Sequence, residues 1–335
     1  MKKTKLFLHI GHGKTGTSAI QSSLAIASKK LAALGIQYPI DAKLRDRASQ
    51  LEITSGNWKP KSETSLTEQL LELTRKNKNN STIILSSESL FWLVPDLLSR
   101  KCDWEDFIDL HIIMAVREVE EMLSSEYQQL VKRHGNSMLL GQFIRTRNFV
   151  SSHHVKAAEI IDLMSQHKTS NTIINYSKHR KDISRLIFKL IGAEEAYPAD
   201  KMTGAVINRS LSRKELDFLI MINKLYHKKF PSISTKISDA LIKRQPNLKA
   251  GQCRISKKQL EKIYKENGIS LQKINTCLDA DEKLSTHSIP SKQPKEDTHS
   301  AAEQNRRMRE EELLSVQVIG DTLLEVLTTK QKQTT

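Results

Sequence analysis

Residues 8–24, LHIGHGKTGTSAIQSSL, place three glycines, a lysine and several hydroxyl side chains between an apolar run and a helical pattern. Glycine lets the backbone approach an anion closely because it has no Cβ. A helix predicted to begin near Thr17 points its free N–H groups and positive dipole end at the same place. Lys14 adds a full charge, so the pattern predicts a cradle for a phosphate-like group. The predicted cradle residues are Gly11, His12, Gly13, Lys14, Thr15, Gly16, Thr17 and Ser18.

The P-loop of ATP and GTP enzymes, G-x-x-x-x-G-K-[ST], is the nearest alternative for this loop. Gly13-Lys14-Thr15 supplies its end, but the first glycine of that motif would fall on Leu8. No apolar strand ends in an aspartate placed to hold magnesium, since the predicted strand 82–85 runs into Ser86-Ser87-Glu88. An ATP-dependent kinase is therefore the second hypothesis rather than the first.

HIGHGKTGTSAIQ resembles the 5′-phosphosulfate loop of the sulfotransferases, especially of bacterial carbohydrate-type members, whose loop reads like IGxxKTGTTxxQ. The family pattern continues with a strand ending in Arg and a Ser eight residues later. Arg117 and Ser125 stand in that relation within VREVEEMLSSEYQQLVK, and NRSLSRKEL from Asn208 resembles a downstream Asn-x-Ser-Leu-Ser segment. The resemblance covers roughly residues 5–275.

The resemblance implies transfer of a sulfuryl group from 3′-phosphoadenosine 5′-phosphosulfate (PAPS) to a hydroxyl, plausibly on a sugar of a glycan or glycolipid, with no metal. The loop would hold the 5′-phosphosulfate, and Lys14 would neutralise the charge that develops as the bond to sulfur breaks. Arg117 and Ser125 would hold the 3′-phosphate. An arginine at a strand end can bind a phosphate bidentately. The alternatives are an ion pair of Arg117 with Glu121, and Ser124 in place of Ser125.

An acceptor hydroxyl also needs a base. Glu88 follows a predicted strand and is the candidate, with an ordinary helix-start carboxylate as the alternative. Bacterial members carry a histidine directly before the loop lysine, whereas here Gly13 stands there and His12, the other candidate base, precedes it. Phe91 and Trp92 line either the core or an acceptor pocket. The pair His153-His154 lacks metal-ligand spacing and is typical of a helix start.

Strands alternating with helices predict a P-loop-like three-layer α/β/α fold around a parallel sheet of four or five strands. Predicted strands cover 5–10, about 35–40, 82–85 and the apolar runs LHIIMAV and NTIIN. Between the second and third strands, residues 41–64 are interpreted as an irregular loop and 65–77 as a helix. Ligands of such sheets bind beyond the carboxyl ends of the strands. The candidate residues in the loop, at Glu88 and at Arg117 fall at these ends.

The chain after about residue 200 is predicted to be helical, over 211–228, 233–244 and 256–267, and to complete a domain spanning 1–275. The polar, proline-bearing stretch 279–304 is interpreted as a disordered linker. Residues 305–329 are predicted to form an amphipathic helix whose apolar stripe follows the basic RRMR. That stripe comprises Leu313, Val316, Leu323 and Leu327. The helix would mediate docking or self-association, with attachment to the inner membrane surface as the alternative. A non-catalytic binding module that uses this helix is the third functional hypothesis.

Composition bounds the function further. A net charge of +15 and a pI near 9.6 favour anionic partners. The three cysteines are far apart and lack zinc spacing, which indicates a reduced compartment and no structural metal. No run has the length of a signal-peptide core or a membrane span, so a cytoplasmic protein is expected. The basic clusters at 178–181 and 306–309 lack interleaved aromatics, which argues against sequence-specific nucleic-acid binding.

Overall fold

The structure is a computed structural model that describes residues 3–11, 13–52, 56–59, 61, 64–77, 82–146, 152–203, 209–248, 251, 253, 255–287, 314–325 and 328. His12 and Asn208, two residues singled out from the sequence, lie outside the described residues. No described helix combines the length and the apolar character that crossing a membrane requires.

The described residues form a five-stranded parallel sheet flanked by helices, as predicted from the alternation of strands and helices. Its strands are β1 (Thr4–His9), β2 (Ile36–Gln37), β3 (Thr82–Ser86), β4 (Ile108–Val116) and β5 (Ser170–Asn175). Their order is β2-β3-β1-β4-β5, and every pair is parallel. The chain first builds outward from β1 to β2, returns through β3, and then crosses to β4. The order of the sheet therefore reverses at β1, the position where such sheets bind ligands.

Helices connect and cover these strands. In chain order they are α1 (Thr17–Ile26), α2 (Ser28–Ala33), α3 (Ala42–Ser49), α4 (Leu66–Lys76), α5 (Leu90–Ser99), α6 (Val119–His134), α7 (Leu140–Thr146), α8 (Ser152–Gln166), α9 (Ile183–Leu190), α10 (Ala199–Met202), α11 (Arg213–Tyr226), α12 (Ile233–Arg244), α13 (Lys257–Thr276) and α14 (314–325). The helix predicted over 256–267 extends nine residues further, to Thr276.

Both faces of the sheet are buried, which explains why its strands are nearly continuous apolar runs. One face carries Phe7, Ile84, Ile113 and Ile174, one from each long strand, and packs against α1, α2 and α9 in a single cluster. The alternate residues of the same strands point to the other face and are equally buried. Examples are Leu6, Leu8, Ile83, Leu85, Ile112 and Met114.

The chain divides into two compact units that do not follow chain order. The sheet unit comprises Met1–Val119, Phe149–Ile207 and Lys262–Thr286, and the helical unit comprises Glu120–Asn148, Asn208–Glu261 and His287–Thr335. The helical unit thus takes most of α6 as well as α11 and α12. The sequence predicts a helical part that starts near residue 200, whereas the helical unit also includes Glu120–Asn148.

A buried ion pair organises the helical unit. Arg209 donates two hydrogen bonds of 2.7 Å to the Glu215 carboxylate, and both side chains are nearly inaccessible to solvent. Glu215 also accepts from the backbone N–H of Ser212, which caps the start of α11. A buried pair of this kind survives only where each partner is fully hydrogen-bonded. The pair therefore fixes where α11 begins.

Two regions differ from the sequence prediction of irregular structure. Within 41–64, α3 begins after Asp41, whose carboxylate accepts the backbone N–H groups of Lys43 and Leu44 as an N-cap. In the same region, the Asn57 side chain donates to the Ile84 carbonyl and accepts from the Ser86 N–H. The predicted loop is therefore partly helical, and Asn57 pairs with the edge of β3.

The prediction that a disordered linker starts at residue 279 is wrong for the part that the structure describes. Residues 279–286 pack on the sheet unit, with Leu284 only 3% exposed. The Glu282 carboxylate accepts a hydrogen bond from the Asn175 backbone N–H and pairs with His179 at 2.5 Å. Burial opposes the charged form of His179, but Glu282 and Asp182 outweigh it and raise the pKa of this imidazole. One apolar anchor and one carboxylate thus hold a polar stretch in place. The remainder of the predicted linker lies outside the described residues.

The C-terminal helix buries a different face from its predicted apolar stripe. On α14 the buried side chains include Val318 and Ile319, whereas Val316 is half exposed. Asp321 pairs with Arg244 of α12 at 3.1 Å within the helical unit. Leu313 and Leu327 of the predicted stripe lie outside the described residues. Docking of this helix to a partner or a membrane stays a prediction.

We expect Leu284→Ala to lower the free energy of unfolding by about 2–5 kcal/mol, because it removes buried methyl groups and leaves a cavity. Urea unfolding measures this change. The matched control is Leu324→Ala on α14, where the side chain is 64% exposed and the expected change stays within about 0.5 kcal/mol. A loss at Leu284 as small as that of the control would contradict the packing of 279–286.

Candidate functional site

The carboxyl ends of four strands carry the candidate site of the sheet unit. The predicted cradle follows β1, Glu88 follows β3, Arg117 follows β4 and Tyr176 follows β5. Because parallel strands all end at one edge, the Arg117 side chain meets the backbone of Lys14, which lies 103 residues earlier in the chain. The sequence prediction that these segments share an edge is confirmed by the sheet order.

The loop after β1 has a backbone shape that few sequences allow. Gly16 has φ 78° and is the N-cap of α1, and a Cβ there would lie 2.7 Å from the Tyr176 ring. A Cβ on Gly11 would lie 2.4 Å from the Thr15 hydroxyl. Lys14 also adopts a positive φ, 78°, which is uncommon for a residue with a side chain and marks local strain.

The first turn of α1 has no side-chain cap and no acidic residue, a feature that it shares with α2, α5, α9 and α12. Helices α4 and α11 begin with serine capping boxes, in which Ser65 and Ser212 accept first-turn N–H groups. The N-cap of α1 is Gly16, which has no side chain to do so, and its first turn carries no acidic residue. Free N–H groups at a helix start can bind an anion, although here the Glu88 carboxylate already lies beside Thr17, the first residue of α1.

Arg117 lies against this loop. Its Nη1 donates a 2.8 Å hydrogen bond to the Lys14 carbonyl, and its guanidinium carbon lies 5.2 Å from the centre of the Tyr176 ring. The ring supports the guanidinium through a cation–π contact. The structure thus places the Arg117 guanidinium beside the cradle loop.

Glu88 also contacts the cradle. Its Oε1 accepts a 2.6 Å hydrogen bond from the Thr17 hydroxyl, and its Oε2 lies 3.5 Å from where a Cβ of Gly13 would be. Thr17, predicted as a donor to the ligand, therefore donates to Glu88 in this structure. A Cβ at position 13 would make only an ordinary van der Waals contact with the carboxylate. The geometry brings the candidate base and the cradle together.

Two buried histidines support the strand ends. His9 bonds Ser86 through Nδ1 at 2.8 Å, and its Nε2 has no hydrogen-bond partner among the described residues while lying beside Gly11. His154 lies 2.8 Å from the Arg117 carbonyl through Nε2, which must carry the hydrogen because a carbonyl only accepts. Burial lowers the pKa of each imidazole to about 4. Both are therefore neutral scaffolding groups near pH 7.

Sequence reasoning missed Tyr176, Arg180 and the role of His154. Tyr176 follows β5 directly, so the rule that selected Arg117 also selects it. The guanidinium carbon of Arg180, which follows β5, lies 6.0 Å from the centre of the Tyr176 ring. The sequence relates the basic cluster at 178–181 only to nucleic-acid binding, but in the fold Arg180 adds positive charge beside Tyr176. His154 gave no signal beyond its place at a helix start, which the structure confirms.

Ser125 belongs to the helical unit and Arg117 to the sheet unit, so their pairing in one phosphate site stays a prediction. Ser125 is half-buried on α6. Its neighbour Ser124 is buried, and its hydroxyl accepts the backbone N–H of Cys253 at 3.1 Å. That hydrogen bond gives Ser124 a structural role and favours Ser125 as the serine that contacts ligand.

The aromatic residues after Glu88 separate into two classes. Phe91 is fully buried in the core, whereas Trp92 is 52% exposed. The Trp92 ring packs edge-on against His153 at 5.7 Å. Burial lowers the pKa of His153, and the charge of Glu88 opposes that shift, so His153 and Glu88 are electrostatic neighbours.

The edge of the sheet where the strands end thus carries the start of α1, Lys14, Arg117 and the Glu88 carboxylate. These groups suit the binding of an anionic group and the activation of a hydroxyl. No described group of three His, Cys, Asp or Glu side chains could hold a metal ion. No family model, curated protein or solved structure matches the chain.

We expect stability to depend on pH through His9. Between pH 6.5 and about 4, the unfolded imidazole takes up a proton that the folded protein refuses, so the free energy of unfolding falls as pH drops through this range. At pH 5 the loss from His9 is about 2 kcal/mol. Urea unfolding at pH 7 and pH 5 should show that His9→Gln removes this part of the decrease. The exposed-site control His134→Gln keeps the wild-type decrease. An unchanged pH dependence in His9→Gln would contradict the neutral, buried state.

Proposed function

We propose that the protein is a sulfotransferase that moves a sulfuryl group from PAPS to a hydroxyl acceptor, on a P-loop-like α/β scaffold. The observation that carries the proposal is the hydrogen bond from Arg117 to the Lys14 carbonyl. It puts a second cation beside a lysine-bearing anion cradle. A donor with phosphate groups on both its 5′ and 3′ positions suits two cations at one edge better than ATP, whose 3′-hydroxyl carries no phosphate.

Sulfuryl transfer, like phosphoryl transfer, needs positioning and charge stabilisation more than covalent help. PAPS supplies the activated sulfuryl group. The bond from sulfur to the bridging phosphate oxygen breaks, a bond from sulfur to the acceptor oxygen forms, and the acceptor proton passes to Glu88. The products are a sulfate ester and 3′-phosphoadenosine 5′-phosphate (PAP). Lys14 and the first-turn N–H groups of α1 would stabilise the negative charge left on the bridging oxygen.

A kinase is the second candidate because of one contact. A threonine hydroxyl beside a carboxylate, as in Thr17 and Glu88 at 2.6 Å, is a pair of oxygen ligands that magnesium uses in ATP enzymes. Two features weigh against it: Leu8 stands where the P-loop motif needs glycine, and Arg117 adds an anion site that ATP does not need. The two candidates predict different nucleotides.

We expect PAP to raise the melting temperature of the protein more than ATP with magnesium does, since binding to the folded state stabilises it. Arg117→Ala should weaken PAP binding about 10- to 100-fold, because it removes a charge-assisted contact. The matched control Arg47→Ala removes an exposed arginine that pairs with Glu52, and it should retain wild-type PAP affinity. Stabilisation by ATP with magnesium and none by PAP would favour the kinase.

Lys14→Ala should lower the rate of sulfuryl transfer at least about 100-fold while the protein still folds, because its charge matters most in the transition state. A single-turnover assay with ³⁵S-labelled PAPS measures the transfer, and circular dichroism confirms folding. Lys14→Arg should recover only part of the rate, since the guanidinium has a different shape. A wild-type rate in Lys14→Ala would remove Lys14 from the mechanism.

A further inference from the structure

Helix α11 of the helical unit presents an apolar face that no described residue covers. Met221 is 49% exposed and Leu225 is 63% exposed, and Phe218, one turn before Met221, is partly exposed. Residues three and four apart share one side of a helix, so Phe218, Met221 and Leu225 form a continuous stripe, called here the α11 seam. Leu219, on the other side of α11, is fully buried. Apolar side chains that lie together on a surface, rather than singly, mark interaction sites.

The apolar surface continues beyond the α11 seam. A cavity of about 250 Å³ lies beside α11, and its apolar lining includes Leu139, Leu140 and Ile220. Asp217, one turn before Met221, also lines this cavity, so the cavity and the α11 seam adjoin. Leu139 is 67% exposed at the cavity. All of these residues belong to the helical unit, which therefore carries the whole surface.

The charges along one flank of the α11 seam are self-complementary. Asp217 and Lys224 lie two helical turns apart and therefore occupy the same flank. Both are exposed, and neither forms an ion pair or a hydrogen bond with another described residue. A flank with a carboxylate toward one end and an ammonium toward the other matches an identical flank that runs in the opposite direction. A partner of uniform charge would leave one of the two unmatched, so the charge pattern favours a second copy of this chain.

We propose that the α11 seam is a homodimer interface, in which α11 packs antiparallel against α11 of a second copy about a two-fold axis. In this arrangement Phe218 of each copy packs beside Met221 of the other, and Asp217 of each copy pairs with Lys224 of the other. A two-fold axis repeats every contact, so this ion pair forms twice. The proposed interface lies on a different helix from α14, for which the sequence predicts docking or self-association. It does not depend on the proposed function.

Sedimentation velocity on the full chain tests the proposal, in about 0.15 M salt to screen the net charge of +15 on each copy. We expect a reversible equilibrium between monomer and dimer. Asp217→Lys should raise the dissociation constant of the dimer about 10-fold or more, because it places like charges opposite each other at two points. Lys224→Asp should do the same. The double variant Asp217→Lys/Lys224→Asp should restore the wild-type constant to within about threefold.

Controls separate the α11 seam from other surfaces. Asp200→Lys, at an exposed position of α10 in the sheet unit, should keep the wild-type dissociation constant. Met221→Glu should dissociate the dimer, whereas Leu324→Glu on the exposed side of α14 should not. Circular dichroism on each variant confirms that a loss of association does not come from unfolding.

Three results would overturn the proposal. The first is a wild-type chain that stays monomeric up to about 100 µM. The second is a dimer that Asp217→Lys leaves unchanged or that the double variant fails to restore. The third is a dimer that Leu324→Glu dissociates and Met221→Glu does not, which would assign the association to α14.

Discussion

The hydrogen bond between Arg117 and the Lys14 carbonyl brings the guanidinium of one strand end onto the loop of another. The Arg117 guanidinium and the start of α1 then lie at the same loop, an arrangement that favours an anionic ligand there. The ring of Tyr176 supports the guanidinium, and His154 holds the carbonyl of the same arginine. The reversal of strand order at β1 is what allows these groups to meet.

The two buried histidines at the strand ends, His9 and His154, are neutral, so the charges of the site come from the side chains at the loop. Burial keeps the pKa of His9 and His154 far below the usual histidine range, so neither adds a positive charge at neutral pH. Glu88, which accepts a hydrogen bond from the Thr17 hydroxyl, adds a carboxylate to the same loop. The loop thus has a guanidinium and a carboxylate beside it, and the proposed mechanism assigns the first to the donor and the second to the acceptor.

Much of the sheet and its cradle is predictable because buried parallel strands are apolar runs and an anion-binding turn needs glycine at sterically fixed places. Those two signals locate β1, β3, β4 and the loop. No comparable signal marks 279–286, where a single buried leucine and a carboxylate anchor an otherwise polar stretch. His154 also escapes prediction, since its contact with the Arg117 carbonyl depends on the tertiary fold. The helical pattern alone does not separate Ser125 from Ser124, which the hydrogen bond from Cys253 to Ser124 does.

A crystal structure of the protein with PAP tests the central claim most directly. We expect the 5′-phosphate to lie on the first-turn N–H groups of α1 beside Lys14. We expect the 3′-phosphate to accept hydrogen bonds from the Arg117 guanidinium. Electron density for PAP away from this loop, or a 3′-phosphate that does not contact Arg117, would contradict it.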